Sequence, residues 1–422
     1  MPTLNQSASH SNNKKSKKTC PFYKWMKDTP FVVDAFNYGK IDNCAGYFLT
    51  HFHSDHYGGL SKTWSHGPIY CSQVTANLVQ QELKVDAHWL CPLPMDELVD
   101  VTQSVQVALM DANHCPGSVL FLFVAGGRRH LHTGDFRANP RMCLHPLIRQ
   151  PENPPISHLY LDTTYMNPMY AFPAQEECIE AVCEVLKRDV HEVTVKKVVN
   201  PLACLDTWIK KVVVGDEQQQ ARRTTLVLVG TYKIGKEKVF INAAKVLDSK
   251  IYVNNNKKQV LLCQENQELN DRLTDQPTKA QVHVVPLQDI RYDKLTAYLD
   301  QYKSHFSNII AIKPTGWTFK STEEMKQAPL QEIIQPPTTK FTLLSPTHHQ
   351  SKAKIKIYSV PYSEHSSFRE LASFIASLDI GTILPTVNLA KTREMHVILD
   401  AWKYEKQAKK IEVVPFMTED HW

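Results

Sequence analysis

Four residues of metal-ligand type lie within one short run, His51-Phe-His53-Ser-Asp55-His56, directly after the apolar stretch Gly46-Tyr-Phe-Leu-Thr50. No other feature limits the fold so strongly. Extended backbone alternates its side chains, so a strand leaving Gly46 delivers His51 and His53 to one side. Asp55 and His56, past the turn, face a second position beside the first. Tyr57-Gly58-Gly59-Leu60 then supplies glycines that let backbone pack tightly behind the cluster. A lone histidine at a strand end is ordinarily a satisfied hydrogen-bonding residue. His66, His88, His130, His132, His145 and His158 are read that way. Burying the whole run without a ligand is costly, which points to metal.

Other short apolar runs end in the same manner. Val105–Met110 leads to Asp111-Ala-Asn-His114, His130–Gly134 leads to Asp135, and Leu159–Leu161 leads to Asp162. Near the C-terminus, Lys356–Val360 precedes Ser363-Glu364-His365, and Thr382–Pro385 precedes Thr386-Val387-Asn388. Functional groups gathered at strand ends are where α/β and sandwich folds build sites. A single catalytic zinc needs three protein ligands and an open position, and a pair needs roughly six or seven ligands with one shared. His114, Asp135 and His365 supply the balance.

Composition narrows the class. The chain has 422 residues, 42% of them hydrophobic and 22% charged, as in ordinary globular proteins of two or three domains. A net charge of +5 is compatible with a polyanionic partner without demanding one. The ten cysteines form no CxxC pair, which argues against a structural zinc module. The polar N-terminus lacks a signal-peptide pattern, and runs such as Leu120–Val124 are far too short for a bilayer. A reduced, intracellular protein without membrane contact is expected. Residues 1–19, with Lys14-Lys15-Ser16-Lys17-Lys18, read as a disordered basic tail, alternatively a nuclear address or phosphate-attracting arm.

The middle of the chain has another texture. Gln175 to about Leu186 reads as a helix, Thr224–Val229 as a buried strand, and Glu237–Leu247 as a helix. The turn between the last two, Gly230-Thr-Tyr-Lys-Ile-Gly-Lys236, is a candidate anion pocket, with helix N–H groups and Lys236 facing a phosphate. Thr315 and Ser366 are candidate hydroxyl donors to the same substrate. Residues 188–223 and 322–354 carry little structural signal and read as loops or insertions.

HFHSDH together with Asp135 in Thr133-Gly-Asp-Phe136 resembles the metallo-β-lactamase fold. The blocks VDAFNYG, YFLTHFHSDHYGGL, DANHCPGSV, LHTGDFR, LYLDTTY, GTYKIGKEKVF, PTGWT, YSEHSSF and PTVN are more specific. They resemble the DNA cross-link repair nucleases of the β-CASP branch, relatives of Artemis and Apollo, and among them the cross-link repair 5′-exonuclease. The resemblance implies an α/β architecture, an αββα metallo-β-lactamase sandwich with an inserted α/β β-CASP domain. Residues 20–170 and 355–422 would form the sandwich and residues 171–354 the insert. It further implies one zinc on His51, His53 and His114, a second on Asp55, His56 and His365, and Asp135 shared between them. Asp55, Asp135, Asp162 and His365 would be the catalytic group, with Asp162 orienting a ligand imidazole, and Asp34 would be structural. Val387 stands where RNA-processing relatives carry a histidine.

The function so implied is a nuclear, two-zinc 5′-to-3′ exodeoxyribonuclease in interstrand cross-link repair. Its substrate would be DNA, single-stranded or with free 5′-phosphate ends. The alternatives are an RNA-processing endonuclease of the same superfamily, a small-molecule metallo-hydrolase, and a scaffold without metal. Val387 and the PTVN and DTTY blocks speak against the first. The insert speaks against the second, and the intact ligand set against the third.

Overall fold

A computed structural model describes residues 19–198, 225–316, 328–335, 341–342, 345–346, 354–413 and 421–422. Nearly all of the basic tail, all of 199–224 and most of 317–353 lie outside the described residues. The first sheet is parallel and four-stranded, in the order β1 (Phe31–Val33), β2 (Gly46–Phe48), β3 (Ile69–Cys71) and β4 (Leu90–Pro92). A second, mixed sheet follows from β5 (Val99–Thr102), β6 (Val105–Asp111), β7 (Val119–Ala125), β8 (Arg128–His132) and β9 (Ile156–Leu161).

These two sheets pack face to face because their strands alternate. Val107, Leu109, Phe121 and Phe123 point to one side of the second sheet and share a core with Phe31, Val33 and Phe48 of the first. Phe48 sits at its centre, with the rings of Tyr70, Phe121 and Phe123 4.8–5.1 Å away. Truncating such a residue to alanine costs about 3–5 kcal/mol. The opposite faces carry helices. Ala76 and Leu78 of the helix Gln73–Leu78 cover Tyr47, Leu49 and Ile69. Leu371 and Phe374 of the helix Phe368–Ser377, with Leu399 and Trp402 of Thr392–Lys409, cover Met110, Leu120 and Leu131.

The third sheet is wholly parallel, in the order β12-β11-β13-β10-β14-β15. Its strands are β10 (Thr225–Thr231), β11 (Lys250–Tyr252), β12 (Leu273–Thr274), β13 (Ala280–Pro286), β14 (Asn308–Pro314) and β15 (Ile355–Val360). Every residue of β10 is buried, as expected of a central strand covered on both faces. β16 (Ile380–Pro385) then returns to pair with β9 and completes the second sheet.

Three expectations are corrected. The helix read as Gln175 to about Leu186 continues to Val198, through a stretch read as loop. Val182, Val185, Leu186 and Val190 keep its apolar face on the third sheet, which the weak local periodicity did not reveal. The segment 322–354 contains a short helix, Leu330–Ile333. A boundary at 355 falls one strand early, because β15 pairs with β14 along its length. Among the described residues, no helix is long and apolar enough to cross a membrane.

Candidate metal centre

The three sheets meet where their strands end, and each contributes. β2 runs into His51, His53, Asp55 and His56. The β6–β7 connection holds His114, β8 leads to Asp135, β9 to Asp162, and β15 to His365. Two glycines let these segments approach. Gly134 has φ +55 and no room for a Cβ, which would stand 2.8 Å from Thr50, while one on Gly59 (φ +104) would meet the Phe36 carbonyl at 2.4 Å. Buried Arg137 ties the crossing segments together. Its guanidinium donates to the carbonyls of Ser363 and Pro173, both at 2.8 Å, and to the Glu370 carboxylate at 2.9–3.1 Å.

Ligand-type atoms converge in three overlapping groups: His51, His53, His114 and Asp135; Asp55, His56 and Asp135; and Asp135, Asp162 and His365. Asp135 belongs to each. Its Oδ2 lies 3.2 Å from His56 Nε2, 3.8 Å from His51 Nε2 and 4.0 Å from His114 Nε2.

The outward nitrogens explain the convergence. His114 Nδ1–H donates to the Glu364 carbonyl at 2.7 Å, and His53 Nε2–H to the Ile234 carbonyl at 3.3 Å. His56 Nδ1–H donates to Asp34 at 2.8 Å, and His365 Nδ1–H to Asp162 at 2.9 Å. Thr50 donates its hydroxyl to Asp34 and accepts from His51 Nδ1 at 3.0 Å. Carbonyls and carboxylates only accept, so the proton of each imidazole sits on the outer nitrogen. The lone pairs of His51 Nε2, His53 Nδ1 and His114 Nε2 therefore face one another at 2.8 and 3.1 Å. Facing lone pairs repel unless a cation lies among them. Oxygen acceptors behind the ring nitrogens are what a metal site requires.

The electrostatics agree. Burial disfavours charge on His56 and His365, but carboxylates outweigh it. Asp135 and Asp34 raise the His56 pKa well above its usual value, and Asp162 and Asp135 raise that of His365 to about 9. Burial pushes His51 and His114 well below theirs, and neighbouring histidines add to it. Burial opposes ionisation of Asp34, but the facing His56 imidazole dominates and lowers its pKa to about 2. The pocket thus gathers buried carboxylates around imidazoles. Those carboxylates hold His56 and His365 in the protonated form, while burial keeps His51 and His114 neutral. A divalent cation would take the place of the protons on the first pair.

The second set of expected residues lies differently. Lys236 is buried, its ammonium 3.4 Å from Glu364 and its N–H 2.5 Å from the same carboxylate. The Gly235 N–H donates to Glu237. The N–H groups at the expected anion pocket are thus bonded to the protein's own carboxylates, one of them 128 residues away in sequence, while Lys236 also lines the cleft. Buried Ser366 donates its hydroxyl to the Phe136 carbonyl and accepts from Ala138 N–H, holding the Asp135 loop. The Thr315 N–H bonds the Val360 carbonyl, next to Gly316, which lines the cleft. Asp34 was read as structural, yet it holds a ligand-type imidazole. Its place immediately after the strand Phe31–Val33 was the available signal.

The cluster floors a cleft of about 660 Å³, with Tyr165, Tyr232, Lys233 and Val387 among its walls. Residues 267–391 match the family model described as DNA repair metallo-beta-lactamase. Over 92% of its length the chain is 41% identical to the DNA cross-link repair protein pso2/snm1 of Schizosaccharomyces pombe, covering 65% of that protein. It is 39% identical to the DNA cross-link repair protein SNM1 of Arabidopsis thaliana over 92% of this chain and 70% of the relative. Against the 5′ exonuclease Apollo of Gallus gallus it is 30% identical, over 85% of this chain and 62% of that one. The chain thus spans roughly two thirds of these relatives. It belongs to the DNA cross-link repair family of metallo-β-lactamase proteins that includes them.

Proposed function

We propose that this chain is a zinc-dependent DNA nuclease acting in interstrand cross-link repair in the nucleus, a 5′-to-3′ exonuclease on 5′-phosphorylated ends. The observation that carries the metal reading is the set of imidazoles whose outer nitrogens are bonded to protein oxygens while the inner nitrogens of His51, His53 and His114 face one another and that of His56 faces Asp135. His51, His53 and His114 would hold one ion, Asp55, His56 and His365 a second, and Asp135 both. The packed sheets then correspond to an αββα metallo-β-lactamase sandwich and the parallel sheet to an inserted β-CASP domain. The family's cross-link repair names support a DNA substrate, and the Apollo relative's name supports 5′ polarity.

When bound, such ions act as Lewis acids toward a phosphodiester and lower the pKa of water. The protein's part is orientation and charge. Asp34 and Asp162 fix the His56 and His365 rings through their Nδ1–H groups. Asp135 places a carboxylate between the donor groups, and Asp55, exposed at the rim, puts Oδ2 3.5 Å from His56 Nε2. Val387 lines the cleft with an apolar wall and offers no proton there.

Digestion of end-labelled oligonucleotides tests the whole reading. DNA with a 5′-phosphate should be cut fastest, 5′-hydroxyl DNA and RNA more slowly, and chelation should stop cleavage until zinc is restored. Full activity after chelation contradicts the metal reading. Equal cutting of both 5′ ends contradicts the polarity, and faster RNA cleavage contradicts the substrate.

A further inference from the structure

The cleft continues past the metal cluster. Tyr232 and Lys233 line both it and a second cavity of about 520 Å³. That cavity occupies a particular place in the third sheet. β10 and β13 are parallel neighbours, but the chain leaves them in opposite directions. The helix after β10, Glu237–Val246, packs on one face with Val227 and Val229. The helix after β13, Tyr292–Gln301, packs on the other with Leu226 and Leu228. Divergence of this kind leaves a crevice outside the carboxyl ends of two strands, where open α/β sheets take ligands. Thr231 at the end of β10 and Pro286 at the end of β13 line it.

Its charges are already matched. Lys233 Nζ lies 2.5 Å from Glu82. Lys257 donates to the carbonyls of Tyr232 and Lys233 at 3.0 and 2.8 Å and lies 3.5 Å from Glu237. A phosphate would gain little from such a wall. The remaining features are the carboxamides of Gln81, Asn256 and Gln259, an apolar floor at Val260 and Val284, and the half-exposed Tyr232 ring. Carboxamides match the paired donors and acceptors of base edges. Exposed aromatic rings stack bases. The Lys257 bonds pin the backbone of the turn carrying Tyr232, and the Lys236 ammonium lies 5.1 Å from the centre of its ring.

We propose that the second cavity takes one nucleobase of the strand whose phosphodiester lies in the catalytic cleft, turned out of the stack and held against Tyr232. The assignment rests on the nuclease reading above. The test is a set of single-stranded DNA oligonucleotides carrying one abasic residue at successive positions. In the wild-type protein, loss of one particular base should lower kcat/KM by on the order of ten- to a hundredfold. Loss of the others should matter little. Tyr232→Ala, and Gln259→Trp, which fills the cavity from an exposed helix position, should bring that ratio close to one. The ratio compares two substrates in one protein, so a variant that is only slower or less stable leaves it unchanged. A flat scan in the wild type, or an undiminished ratio in both variants, overturns the pocket. If no oligonucleotide is cut, the nuclease reading fails by itself. The same ratio taken from dissociation constants by fluorescence anisotropy then decides the pocket.

Discussion

The turn after β2 and the turn after β10 border one cleft, and both bring polar groups to a strand end ahead of a helix. In the first, His51, His53 and His56 each give one ring nitrogen to a protein oxygen and keep the other facing its neighbours. In the second, the Gly235 and Lys236 N–H groups and the Lys236 ammonium all end on the carboxylates of Glu237 and Glu364. A ligand site is marked by donors the fold aligns and leaves without a protein partner. A glycine-rich turn at a helix start is not such a mark until its N–H groups are traced to their acceptors.

Predictions can break this contrast. Asp135→Asn or His53→Ala should remove nuclease activity on labelled oligonucleotides while circular dichroism stays native. Retained activity in Asp135→Asn would break the shared-carboxylate assignment. Lys236→Met leaves Glu364 buried without its cation, and should cost about 3 kcal/mol by urea unfolding. It should leave the rate ratio between 5′-phosphate and 5′-hydroxyl ends unchanged. A specific loss of the 5′-phosphate preference would restore the anion pocket.

Asp34→Asn and Asp162→Asn sharpen the contrast by acting on the outer nitrogens of His56 and His365, each carboxylate also accepting from a neighbouring threonine. Each should weaken zinc affinity or activity roughly 10–100-fold. An effect of Asp34→Asn on stability alone would return that residue to a purely structural role. The smallest effect lies away from the cleft. Burial lowers the His283 pKa to about 4, against bonds to the Pro277 and Ala280 carbonyls that raise it. The unfolded chain therefore binds the extra proton between about pH 6.5 and 4, and stability falls as pH drops through that window. His283→Gln should flatten the urea midpoint between pH 7 and 5, by roughly 2 kcal/mol relative to wild type. An unchanged slope would contradict the assignment.

The metal-ligand types were legible because their spacing is local: period-two alternation puts His51 and His53 on one side, and apolar runs announce the strand ends. What escaped the sequence depends on distant chain. Glu364 reaches Lys236 across 128 residues, and Arg137 reaches Glu370 across 233. Neither pairing leaves a local pattern. Ser366 looked free for the same reason, since its partners belong to the Asp135 loop. The long helix beyond Leu186 was hidden because its charged residues mask the period that Val185 and Val190 carry.

Zinc stoichiometry tests the central claim most directly. Purified wild-type protein and Asp135→Asn should be stripped with chelator, reloaded with zinc, desalted and analysed by mass spectrometry for metal per chain. Close to two zinc ions in the wild type and a clear loss in Asp135→Asn is the predicted result. Less than one ion per wild-type chain, or equal loading of both proteins, would contradict it.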